Sequence, residues 1–80
     1  DTPTPTRGNA TTTYQVRGKS TAYLNVYNVV GWLAKSMNMG TQLPGYYNIQ
    51  LKANKLSSSV YFYKLTAGNK RQTKKLIVLK

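Results

Sequence analysis

No cysteine, histidine or glutamate occurs in this eighty-residue chain, and its one acidic side chain belongs to Asp1. Without cysteine there is neither a disulfide framework nor a thiolate metal site. With no histidine and a single terminal carboxylate, the chain cannot assemble a carboxylate pair, a Ser/His/Asp relay or a Cys/His pair. Ligands for zinc or calcium reduce to backbone and hydroxyl oxygens. The expectation is a protein that is not an enzyme, with no catalytic residue, no metal and no cofactor. The glycines at 8, 18, 31, 40, 45 and 68 are too dispersed for a phosphate loop or a dinucleotide fingerprint, and read as turn punctuation. No apolar run approaches the ~18 to 20 residues of a membrane span, so no transmembrane segment is expected. The opening DTPTPTRGNATTT also lacks the apolar core of a secretory signal. If the protein is exported, its signal lies upstream of residue 1 or is carried by this segment itself.

What the chain does have is positive charge. Twelve Lys and Arg against one acid give a formal net charge of +11 and a pI near 10.2. Such a chain is drawn to polyanions: nucleic acid, lipopolysaccharide, acidic polysaccharide or an anionic membrane. No nucleic-acid module is spelled out, and non-specific phosphate attraction would follow from the charge alone, so no specific nucleic-acid partner is expected. A hydrophobic fraction of 40% and seven tyrosines suffice for one core and argue against disorder. Asn9-Ala10-Thr11 fits the N-glycosylation sequon, which matters only in a eukaryotic secretory host.

Along the chain, Pro3, Pro5 and Gly8 mark residues 1–10 as an extended lead-in able to join a sheet only at its edge, ahead of a single domain over 11–80. TTTYQVR alternates, with Thr12, Tyr14 and Val16 on one face and Thr11, Thr13 and Gln15 on the other. After the RGKS turn, TAYLNVYN sets Ala22, Leu24 and Val26 toward a core and Tyr23, Asn25 and Tyr27 away from it. NVVG is a bend. In WLAKSMNM the spacing of Leu33 and Met37 also fits a helix, but the short length and β-rich surroundings favour a strand. GTQLPG breaks the chain, with Gly45 supplying a turn conformation, and YYNIQL is a further strand. KANKLSSS is a loop whose Leu56 plugs the core. In VYFYKLTA, Tyr61, Tyr63 and Leu65 share one face and Val60, Phe62 and Lys64 the other; GNKRQ then turns the chain into TKKLIVLK, a terminal hairpin. Strands at roughly ten-residue spacing predict an all-β fold, an immunoglobulin-like antiparallel β-sandwich of about six to seven strands.

Two groups of side chains are candidates for binding. The cations Lys64, Lys70, Arg71, Lys74, Lys75 and Lys80 fall on the terminal hairpin, where strand pairing would gather them into a polyanion-contact region; alternatively, they keep an exposed strand edge solvated. Tyr23, Tyr27, Trp32, Tyr46 and Tyr47, with Arg17, Lys19 and Lys35 near them in sequence, could form an aromatic platform for sugar rings or bases, or could cover the core. Tyr61 and Tyr63 share a face with Leu65 and belong to the core.

The segments LNVYNVVGW, LPGYYNIQLKANKLSSSVYFYKLTAGN and QTKKLIVLK carry a resemblance that covers the whole chain. They are similar to the C-terminal sorting domain of the type IX secretion system, in its type A form, which is related to the immunoglobulin-like domain of the flagellar hook-capping protein. Pro3, Pro5, Thr11, the bend Val26-Tyr27-Asn28-Val29-Val30-Gly31, Gly45, Leu56, Ser58, Val60 to Tyr63, Leu65, Ala67, Gly68, Thr73, Lys74, Lys75 and Lys80 fall on the family pattern. Thr6 stands where that pattern has Phe, Ser59 where it has Gly, and Lys70 where an aromatic is common. The Ser59 departure puts in question the positive-φ backbone expected there.

The resemblance implies a non-catalytic module at the end of a larger exported protein, secreted or held on the outer surface of a Gram-negative bacterium. Its partner would be the outer-membrane secretion machinery, with the hairpin cations as translocon contacts and lipopolysaccharide or acidic polysaccharide as further anions. The alternatives are an accessory carbohydrate- or polyanion-binding module of a secreted enzyme, or an engineered scaffold built on this fold.

Overall fold

A computed structural model of the chain describes residues 9–52 and 56–79. Six strands follow one another: β1 (Asn9–Val16), β2 (Ser20–Asn28), β3 (Leu33–Gln42), β4 (Gly45–Lys52), β5 (Ser59–Ala67) and β6 (Lys70–Val78). All pairings are antiparallel. One sheet has the order β3-β2-β5-β6 and the other consists of β1 and β4, so the fold is an immunoglobulin-like β-sandwich. The chain changes layers between β1 and β2, between β3 and β4, and between β4 and β5. Only β2–β3 and β5–β6 are local hairpins, and the β2–β5 pairing joins them into one sheet.

Alternation decides what lies between the layers. Val16 of β1, Ile49 and Leu51 of β4, Ala22, Leu24 and Val26 of β2, Leu65 of β5 and Leu76 and Val78 of β6 form the aliphatic core. Leu24 and Val26 are wholly buried, and each side chain of that size gains ~1.5 to 3 kcal/mol on leaving water. Leu56, in the loop before β5, fills the core as expected. Three tyrosines at its border keep their rings inside and their hydroxyls bonded. The Tyr63 hydroxyl donates to Thr12 Oγ1 across the layers at 3.1 Å, that of Tyr61 to the Ser57 carbonyl at 3.0 Å, and that of Tyr14 to Gln42 Oε1.

Two departures from the sequence reading have local causes. Asn9 and Ala10 already pair with Lys52 and Leu51, so the first strand starts earlier than residue 11; the rest of the expected lead-in, with Pro3, Pro5 and Thr6, lies outside the described residues. WLAKSMNM enters β3, as expected, and Met37 and Met39 pack against the core with the period of a strand. The chain does not break at Gly40. There the β2–β3 register shifts, because Ala22 faces Gly40 while Tyr23 faces Asn38, leaving Met39 as the extra residue of a bulge. Gly40 absorbs the kink at φ +72°, and the strand runs on to Gln42. At Ser59 the chain simply opens β5 opposite Val78, and no described residue other than glycine has positive φ.

The β5–β6 turn is Gly68-Asn69 alone, since Ala67 faces Lys70. Gly68 has φ +64° and Asn69 does not share a positive φ, the pattern of a type II′ turn, whose first central position calls for glycine. The Gly68 amide donates to the Thr21 carbonyl at 3.1 Å, and a Cβ built on it would stand 2.7 Å from Ser20 Oγ and 3.2 Å from Ser20 Cβ. Gly68→Ala should therefore cost at least ~1 to 2 kcal/mol, the penalty for a left-handed residue with a Cβ. Urea unfolding would measure it, and a midpoint equal to that of the unaltered chain would refute this account of the turn.

Candidate functional site

The register of β5 and β6 sorts the hairpin cations onto two sides of the sheet. Tyr61, Tyr63, Leu65 and Ala67 face the core, and their partners on β6 are Leu76, Lys74, Gln72 and Lys70. Lys70 and Lys74 thus project on the inner side, at the end of β6 that is open to solvent. Lys64, Arg71 and Lys75 project on the outer side, facing Thr73, Thr66 and Phe62 respectively. Strand pairing gathers three of the six expected cations on one face and sends two to the other; Lys80 lies outside the described residues.

The outer face of the four-stranded sheet continues onto β2. Tyr27 is opposite Phe62, which is opposite Lys75; Asn25 is opposite Lys64; Tyr23 is opposite Thr66, which is opposite Arg71. Tyr23 and Phe62 are exposed and Tyr27 half-buried, while Thr66 is buried among them. The result is a face that mixes aromatic residues and cations, with Lys64 between Phe62 and Thr66 along β5 and with Lys75 and Arg71 on the edge strand β6. The single acidic side chain of the sequence, Asp1, is not among the described residues, so no described side chain on this face or elsewhere carries a carboxylate to neutralise these charges.

The five aromatic residues considered as a platform do not come together. Tyr23 and Tyr27 belong to the outer face just described. Trp32 lies in the β2–β3 bend, 74% exposed, beside exposed Val29 and Val30. That bend is built by Asn28, whose Oδ1 accepts from the amides of Val30 at 3.1 Å and Trp32 at 2.9 Å. Tyr46 projects from the other sheet, 82% exposed. Tyr47 turns inward, where its ring stacks on Tyr14 with centroids 5.4 Å apart and its hydroxyl donates to the Leu43 carbonyl. The apolar parity of Tyr47, Ile49 and Leu51 in the sequence is the signal for that inward turn.

Burial raises the Tyr14 phenol above its usual pKa near 10.0, and neighbouring Tyr47 adds to it. Among the described residues no helix is long and apolar enough to cross a membrane. The arrangement offers surfaces suited to binding.

A small antiparallel sandwich with a basic, aromatic outer face presents a surface of the kind that recognition modules use. The chain belongs to the secretion system C-terminal sorting domain family, whose model matches residues 3–79. Comparison with curated proteins and with solved structures returned no match. Members of this family are non-catalytic C-terminal sorting signals of proteins secreted by the type IX system, and the tail marks its parent as a secreted or cell-surface protein that meets the secretion machinery.

The Tyr14 shift has a sign that can be checked. A phenol whose folded pKa is raised stabilises the fold fully below its unfolded pKa near 10 and loses that contribution as pH climbs through the folded value. Stability should fall above about pH 10, more steeply than in Tyr14→Phe, which itself should cost ~1 kcal/mol at neutral pH through the lost hydrogen bond. Urea midpoints from neutral pH to beyond the phenol range would measure both. Parallel alkaline slopes for the two proteins would count against a buried Tyr14 hydroxyl.

Proposed function

We propose that this sorting domain is read through the outer face of its four-stranded sheet, where the terminal hairpin presents Lys64 and Lys75 beside Phe62 and Arg71 opposite Thr66, with Tyr23 and Tyr27 on neighbouring β2. One observation carries the reading: three cations and three aromatic side chains share a solvent-facing sheet surface, and no described side chain supplies a neutralising carboxylate. Aromatic side chains give a partner area to bury at low entropic cost, and the cations select an acidic surface and speed encounter with it. The partner is the outer-membrane secretion machinery. A finer part of the proposal adds lipopolysaccharide phosphates or an acidic polysaccharide of the Gram-negative outer surface as a later contact of the same cations, each worth ~1 kcal/mol near an anionic surface. An accessory sugar-binding role gains no support from the dispersed Trp32, Tyr46 and Tyr47.

A reporter carrying this chain at its C-terminus, expressed in a host with a type IX system, should reach the cell surface. Lys64→Gln with Lys75→Gln should leave thermal unfolding nearly unchanged and lower export by about tenfold, the effect expected of charges that contribute ~1.4 kcal/mol to partner binding. Full export of that double variant would overturn the assignment of the face.

A further inference from the structure

Lys70, on the other side of the hairpin, borders a concavity. Between the end of β1 and the start of β6 lies a solvent-open groove of about 300 Å³. Buried Leu65 and Ala67 of β5 form its apolar lining. Arg17, just after β1, and Lys70, at the start of β6, line it, and Gln15 and Gln72 complete the polar border. Among the described residues β1 pairs only with β4, and β6 only with β5. Among the described residues each therefore has one edge without a strand neighbour, the kind of edge that can accept a further strand.

We propose that this groove is a docking site for an extended acidic peptide segment of a partner protein, lying along the free edge of β6 with its carboxylates on Arg17 and Lys70. Three features select that occupant. No described residue supplies a carboxylate to these cations, since the chain's single acidic side chain is that of Asp1. A free strand edge recognises an extended backbone, and alternate side chains of such a segment would point to the inner side of the sheet, toward the groove. Arginine matches the planar carboxylate in a way a point cation does not. A small inorganic phosphate would use the cations but neither the apolar lining nor the strand edge. The site is separate from the outer face, and its failure would leave the export reading untouched.

The test is titration of a fluorescein-labelled peptide that alternates Glu with Val and Thr into the whole chain at ~0.15 M salt, where exposed charges are screened beyond ~8 Å. Saturable one-to-one binding is expected, with backbone amide shifts in NMR spectra concentrated at Gln15, Arg17, Lys70 and Gln72. Arg17→Gln with Lys70→Gln should weaken binding by about tenfold, whereas Lys64→Gln with Lys75→Gln, which removes the same charge from the outer face, should change it less than ~twofold. Equal losses in the two double variants would overturn the proposal in favour of diffuse attraction. So would pyrophosphate producing the groove shifts where the peptide produces none, which would make the site one for free phosphate. Should the groove variant unfold, the shift map of the unaltered chain decides: shifts confined to the groove support the peptide site, and shifts spread over every basic surface overturn it.

Discussion

Two strands have to cover four. Neighbouring strands lie only ~4.8 Å apart, so the β1–β4 layer is about half as wide as the sheet beneath it, and whatever it leaves uncovered must be soluble. The centre of the wider sheet bears this out in its composition: Ala22, Leu24 and Val26 of β2 and Leu65 of β5 are buried and apolar. At the margins the inner positions turn polar. On β6 they read Lys70, Gln72, Lys74, Leu76, Val78, so the strand itself records where the covering layer ends. On the opposite edge Lys35, Met37 and Met39 are only half-buried, the long flexible side chains suiting a border where packing is incomplete.

The same shortage explains the use of tyrosine. A wholly aliphatic border would leave apolar surface in water, whereas a tyrosine adds a large ring to a narrow core and brings its hydroxyl back to a hydrogen-bond partner. Tyr14, Tyr61 and Tyr63 do this from two different layers, and among the described residues no buried side-chain polar atom is left without a partner. In a domain this small, with stability on the order of 4 to 12 kcal/mol, a few such bonds are a large share of the margin. They also work against the self-repulsion of a chain whose charges are nearly all of one sign.

Much of the fold was legible because alternation is a local property. The strand identities, the inward faces of β2 and β5, the core role of Leu56 and the terminal hairpin all follow from period-two patterns and turn residues. What the local pattern did not carry was register. A cluster of lysines on one hairpin looks like a single patch until pairing sets Lys74 opposite Tyr63 and Lys75 opposite Phe62, one residue and one whole face apart. The continuation of β3 through Gly40 was hidden for a related reason, since a glycine before a polar run reads as a stop unless the partner strand reveals a bulge. The aromatic platform failed on layer assignment: Tyr46 and Tyr47 are adjacent in sequence but point to opposite sides of a strand in the other sheet.

Because pairing sends neighbouring residues to opposite faces, one hairpin can offer two chemistries without any extra structure. Its outer side combines cations with aromatic rings on an open sheet surface, and its inner side combines cations with a concave apolar lining and a free strand edge. Neither side depends on a flexible loop, since the hairpin is closed by a two-residue turn and held against β2 over most of its length. A sorting domain has to be recognised whatever protein it is attached to, so its recognition elements must be rigid and self-contained. A narrow covering layer serves that need: by leaving both sides of β6 accessible at one end, it turns the part of the sheet that cannot be buried into the part that can be read.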